Sequence, residues 1–263
     1  MTIQPVERGY SMTSLAEWNT APARAGRPVA VLDRIIAILD AVKDSGGSTT
    51  ITELAACTGM PKSTVSRLVA ELTAQRYLER TEEGVTLGLR LFELGARASL
   101  PRRLLAAAAP VIRNLRDVTG ERVGLWVQQG TDMVSIATVA GRLPMLPTRA
   151  GMRSPALTTA SGKAYLAFCA DQGVVNRVSA SLIDDAAENF RDELSHVRAA
   201  VVAMDREVSY PGILAVASPV LSASHVVLGA ISIAGPSGAM DAERVAPLVR
   251  AAGTTVTRRL TAA

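Results

Sequence analysis

From Val29 onward, apolar residues recur at helical spacing. Val31, Leu32, Ile35, Ile36, Ile38, Leu39 and Val42 make one wide apolar face, and DSGGST closes the run. TITELAACTG predicts a short second helix, with Thr50 or Thr52 as its N-cap and Gly59 as its stop. Pro61 then opens a third helix, predicted over 61–76, at a position where a missing N–H costs little. Val65, Leu68, Val69 and Leu72 give it a single apolar stripe. The opposite face carries Ser63, Arg67, Ala70 and Ala74. A face that only meets water usually carries long charged residues; this one is small enough to approach another surface closely.

After Gln75 the period changes. YLER, TEEG and VTL read as strand, turn and strand, with Gly84 in the turn. Two helices joined by a tight turn, followed by a hairpin, predict a winged helix-turn-helix. GLRLFELGARA reads as a helix leaving that domain, interrupted at Pro101. RRLLAAAAPVIRNLRDVTG is a long helix with Leu105, Ala108, Ile112 and Leu115 or their neighbours inward. RVGLWVQQG and MVSIATVAG read as two strands, and 140–157 as a loop. TASGKAYLAF and NFRDELSHVRAAVVAMD read as helices, GILAVASPVLS and VVLGAISIAG as apolar strands, and DAERVAPLVRAAGTTVTRRL as a closing helix. Short joins between consecutive strands favour a largely antiparallel sheet flanked by helices, an α/β chain of the α+β kind. The predicted organisation is a disordered tail over 1–26, a winged helix-turn-helix domain over 27–88, a linker helix over 89–102 and the sheet-and-helix domain over 103–263. Met12 is a second candidate start.

The chain has 263 residues and only 3% aromatics, so its cores are expected to be aliphatic. No apolar run has the length of a membrane span, and MTIQPVERGYSM lacks the apolar block of a signal peptide, so a cytoplasmic protein is expected. Cys57 and Cys169 are expected to be small buried hydrophobes. With only His196 and His225 beside them, neither a metal centre nor another cofactor is expected. Net charge is +4, yet residues 27–100 hold nine basic and nine acidic residues. A DNA-binding reading of that segment rests on geometry rather than on bulk charge.

TELAACTGMPKSTVSRLVAEL, GLRLFELG and TASGKAYLAF, with GPSG after the last strand, resemble the IclR family of bacterial transcription regulators over Val29–Leu260. The resemblance implies a winged helix-turn-helix, a helical linker and a GAF-like effector domain. It implies homodimers, often dimers of dimers, paired through the DNA-binding domains. Matched motif to motif, it puts a ligand pocket on Leu143, Leu146, Ala160, Ser161, Asp205, Ile213, Ala215, Ser232 and Ala234. Ala215 stands where relatives often have cysteine, and Ala234 where they can have a second serine. The expected pocket is less polar than one for very small oxo-acids, with Asp205 and Ser232 fixing orientation, and suits a small organic acid or aromatic catabolite. Asp205 reads equally well as a surface residue in a turn at a helix end.

Lys62, Ser63, Thr64, Ser66 and Arg67 crowd the half of the third helix that reaches base edges and phosphates of an operator duplex. The wing departs from the family: Glu82 and Glu83 precede its glycine and would repel phosphates, which leaves Arg80 as its expected contact. Lys163 follows Gly162, but Leu157 stands where a phosphate loop needs its first glycine. GxSxG is absent, and no histidine is placed for a nucleophilic triad. The expectation is a ligand-responsive DNA-binding regulator of metabolic genes, a repressor by preference, and no enzyme. Two other readings stay open: a ligand-binding module whose helix-turn-helix only dimerises, and an enzyme with a fused regulatory domain.

Overall fold

The computed structural model of the protein describes residues 30–142 and 149–262. The chain divides into two compact units between Ala98 and Ser99.

The first unit contains α1 (Val31–Asp44), α2 (Ile51–Thr58), α3 (Lys62–Ala74), β1 (Leu78–Thr81), β2 (Gly84–Leu87) and α4 (Leu89–Gly95). Thr50 is the N-cap of α2: its side chain accepts from Glu53 N, and Glu53 accepts in return from Thr50 N at 2.8 Å. Gly59, at φ 67, ends α2 in the left-handed conformation that glycine adopts without strain. Pro61 is the N-cap of α3, so Lys62 is the first helical residue. At the other end Arg76 is left-handed, and Tyr77 N reaches back to Leu72 O, a Schellman closure without its usual glycine. The helix therefore stops two residues before the predicted Arg76. Ile38, Val42, Leu54, Val65, Leu68, Val69, Leu72, Leu78 and Val85 form the core. The hairpin is pinned to it by a two-way backbone bridge between Thr49 and Val85.

The second unit contains α5 (Ser99–Thr119), β3 (Arg122–Gln129), β4 (Asp132–Val139), β5 (Arg153–Pro155), α6 (Ala160–Leu166), α7 (Gln172–Val178), α8 (Asp184–Ala200), β6 (Ala203–Arg206), β7 (Ile213–Leu221), β8 (Val227–Pro236) and α9 (Ala242–Thr261). Its six-stranded sheet has the order β5-β4-β3-β8-β7-β6, and every neighbouring pair is antiparallel. One face packs on α5 and α9 through Val123, Leu125, Val216, Ile231 and Ile233. The other packs on α6 and α8 through Trp126, Ala203, Ala217 and Ala230.

Several expectations are corrected. The helical break falls before Ser99, not at Pro101, which sits in the first turn of α5 where its absent N–H is no loss. Leu104 and Ala107, not Leu105, face inward. The helix predicted to run through Asp205 ends at Ala200, because Val201 turns left-handed and the chain pairs with β7 as β6. Part of the predicted 140–157 loop is the edge strand β5. Cys57 is exposed on the outer side of α2 and Cys169 is partly exposed, so neither is the buried hydrophobe expected. No helix among the described residues is long and apolar enough to cross a membrane.

Candidate functional site

Two surfaces carry chemistry, one in each unit. The first is the outer face of α3. Its apolar stripe, Val65, Leu68, Val69 and Leu72, is spent on the core. Lys62, Ser63, Ser66, Arg67, Ala70 and Ala74 are exposed, and Thr64 is half-buried. The amphipathic period thus turns the hydroxyls and both cations of the first two turns outward together. Arg80 is exposed on β1, beside Glu82 and Glu83 in the hairpin turn. Elsewhere in this unit polar side chains are engaged: Arg90 donates to Gln75 O at 3.2 Å and lies over the Tyr77 ring, and Glu79 accepts from Leu89 N. Among the described residues, the α3 cations are not drawn into such contacts. Two apolar faces are also exposed, Val31, Leu32 and Ile36 on α1 and Leu89, Phe92 and Leu94 on α4, with Phe92 72% exposed.

The second surface is a cleft between the sheet and the start of α6, enclosing about 520 Å³ with the solvent at its mouth. Side chains two apart on a strand share a face, and antiparallel register aligns them across strands. Arg122 pairs with Ala234, Ala234 with Ala215, and Ala215 with Asp205, so one row crosses four strands. The next row runs from Gly124 through Ser232 and Ala217 to Ala203. Alanine and glycine in the middle of these rows hollow out the floor. Trp126 walls one side, and its indole Nε1 donates to Ser232 Oγ at 2.9 Å. A side chain at Gly124 would place its Cβ 2.5 Å from that nitrogen, so the glycine makes room for the tryptophan.

Seven of the nine pocket residues carried over from the family line this cleft: Ala160, Ser161, Asp205, Ile213, Ala215, Ser232 and Ala234. Leu143 and Leu146 lie outside the described residues. Asp205 is not in a helix-end turn; it is 4% exposed on β6, and its Oδ1 accepts from Val208 N at 2.9 Å and Ser209 N at 3.3 Å. Ser232 spends an acceptor site on Trp126 and keeps its own proton to give. Thr159 caps α6, donating to Pro155 O at 2.7 Å while accepting from Gly162 N.

Sequence reasoning missed Arg122. It is 8% exposed, lines the cleft, and lies over the Trp126 ring at 5.6 Å. Burial pulls its pKa below the usual guanidinium range, and Tyr210, also in the lining, pushes it back up. The signal was present as one cation at the head of an otherwise apolar strand, RVGLWV. Lys163 is also explained: it is buried beside the cleft and pairs with Glu193 at 2.7 Å, a structural bridge and not a phosphate lysine. No cluster of three potential metal ligands occurs among the described residues.

Known proteins resemble both units. The model for the C-terminal domain of bacterial IclR transcriptional regulators matches residues 101–258, and that for the IclR helix-turn-helix domain matches residues 31–82. The transcriptional repressor IclR of Escherichia coli (strain K12) is 26% identical over 249 residues, 85% of this chain and 90% of that one. The acetate operon repressor of Salmonella typhimurium is 27% identical over 258 residues, 93% and 91% of the two chains. The crystal structure of an IclR homolog from Microbacterium hydrocarbonoxydans, complexed with 4-hydroxybenzoate, superposes with a TM-score of 0.80 at 23% identity, covering 89% of this chain and all of that one; at this identity the likeness is one of fold. With an exposed recognition-type helix in one matched domain and a cleft in the other, the chain belongs to the IclR family of bacterial transcription regulators.

Proposed function

We propose that the chain is a cytoplasmic repressor that releases or rearranges on its operator when a small organic acid occupies the cleft. The observation that carries the DNA half is the outer face of α3, where Lys62, Ser63, Ser66 and Arg67 stand exposed together on a helix whose other side is core. A face of that size enters a major groove, with Arg67 toward base edges and Lys62 and the hydroxyls of Ser63, Thr64 and Ser66 toward phosphates. The exposed apolar faces of α1 and α4 suit pairing of two copies, which sets the half-site spacing of a two-fold operator. Ligand binding then shifts the population of dimer arrangements through the segment 89–98. A coupling of roughly 1–3 kcal/mol is enough for a useful switch. The 4-hydroxybenzoate held by the Microbacterium homolog supports an aromatic acid as the class of effector.

DNase footprinting on the DNA flanking the gene, near physiological salt because affinity depends on it, tests the reading. A pseudo-palindromic site should be protected, and Arg67→Ala should weaken binding by about 1–3 kcal/mol, roughly five- to 150-fold. A footprint unchanged in that variant removes Arg67 from the interface. No protection by a folded wild type would favour a helix-turn-helix used only for dimerisation. In the same assay the double change Glu82→Gln and Glu83→Gln is expected to tighten binding a few-fold, by removing two negative charges beside Arg80. An unaltered affinity would place the wing away from the phosphates.

A further inference from the structure

We propose that Arg122 determines the ligand specificity of the cleft, selecting a molecule with a single carboxylate and turning its uncharged, hydrogen-bonding end toward Asp205. The inference deepens the reading of the cleft as the effector site and rests on it. The row Arg122, Ala234, Ala215, Asp205 places opposite charges at its two ends. They are three strand spacings apart, about 14 Å along the sheet. Between them two methyl groups offer neither charge nor hydrogen bond, and Trp126 and Ile213 add apolar wall. A ligand in this trough is therefore polar at its ends and apolar, preferably flat, in its body.

The ends are not equivalent. Arg122 presents a planar fork that meets a carboxylate with two parallel hydrogen bonds, and the indole face beneath it restrains the fork. At 8% exposure the attraction acts with little water to screen it. At the far end Asp205 is anchored by two backbone N–H groups on Oδ1. Its Oδ2 takes neither of those bonds, and because Asp205 lines the cleft that oxygen can accept one from a ligand hydroxyl. A second carboxylate there would meet like charge, so the cleft rejects a dicarboxylate as well as favouring a hydroxylated monoacid.

The test uses the full chain in a Trp18→Phe background, so that Trp126 fluorescence reports the cleft. Three probes are titrated: 4-hydroxybenzoate, its methyl ester and terephthalate. The wild type should bind the monoacid roughly tenfold or more tighter than either of the others. Arg122→Gln should weaken the acid by about tenfold or more while moving the ester less than about threefold, and Arg122→Lys should restore only part of the preference. Unchanged binding of the ester also shows that the variant is folded. An acid preference that survives Arg122→Gln, or terephthalate bound as well as the monoacid, overturns the proposal. So does a wild type that protects its operator yet binds none of the three, and that outcome leaves the regulator reading intact. Acid binding without any footprint would do the reverse.

Discussion

Gly162→Ala is expected to destabilise the second unit by roughly 3 kcal/mol or more, the upper range for forced overpacking. A Cβ at Gly162 would lie 2.0 Å from Ala156 O and 2.4 Å from Ala156 Cα, and both are backbone atoms. Neither side can yield cheaply. Ala156 is wholly buried and its N–H donates to Thr131 O at 3.0 Å. Helix α6 is tied to the same segment through Thr159, which bonds both Pro155 O and Gly162 N. The extra methyl would lift α6 from the sheet and carry Ala160 and Ser161 away from the cleft they line. In a thermal melt the change should lower Tm by roughly 6–12 °C, and ligand binding should fall with it. Gly238→Ala is the control, since a Cβ there meets nothing within 4 Å. Equal melting temperatures for Gly162→Ala and the wild type would show that the backbone at Ala156 yields to the methyl without cost.

In the first unit, Leu54→Ala should cost about 2–5 kcal/mol, the range for removing a buried leucine side chain. Leu54 is 1% exposed and is the sole buried residue of α2. It is the anchor through which the short helix holds its angle to α3. The core around it has nine buried residues, all in a segment of about sixty, a size at which stability is marginal. Operator binding at 37 °C should therefore be lost, while Trp126 fluorescence and acid binding in the second unit persist. Wild-type operator affinity in Leu54→Ala would mean that α2 is held by something other than this side chain.

The legibility of this chain follows the range of its interactions. The first unit is built from near neighbours: the capping box Thr50–Glu53, the left-handed Gly59 and the stripe on α3 are all written within a few residues. The stop at Gly59 and the stripe on α3 read correctly; the N-cap stayed open between Thr50 and Thr52, the Glu53 half of the box went unread, and the end of α3 is set by a left-handed Arg76 that no propensity favours. The second unit depends on distant pairings. Asp205 looked helical because VVAMD continues the apolar period of α8, and only the partner strand β7 makes it a buried strand residue. Arg122 was passed over because its side is decided by the register with β8, more than a hundred residues away. Seven residues of the cleft were reached through family likeness rather than through pattern.

The two outermost strands of the six-stranded sheet bear on how copies of the chain avoid sticking together. β5 has three residues and β6 has four. Pro155 offers no N–H to an incoming strand, and Arg153, paired with Asp132 at 3.1 Å, sets charge on the same rim. Arg206, exposed at the end of β6, does likewise on the other side. A sheet of long apolar central strands is thus flanked by stubs too short and too charged to template another chain. In the proposed regulator, pairing of copies would fall to helical surfaces, which can separate and re-form as a reversible switch requires, whereas strand-on-strand growth would commit the protein to fibres.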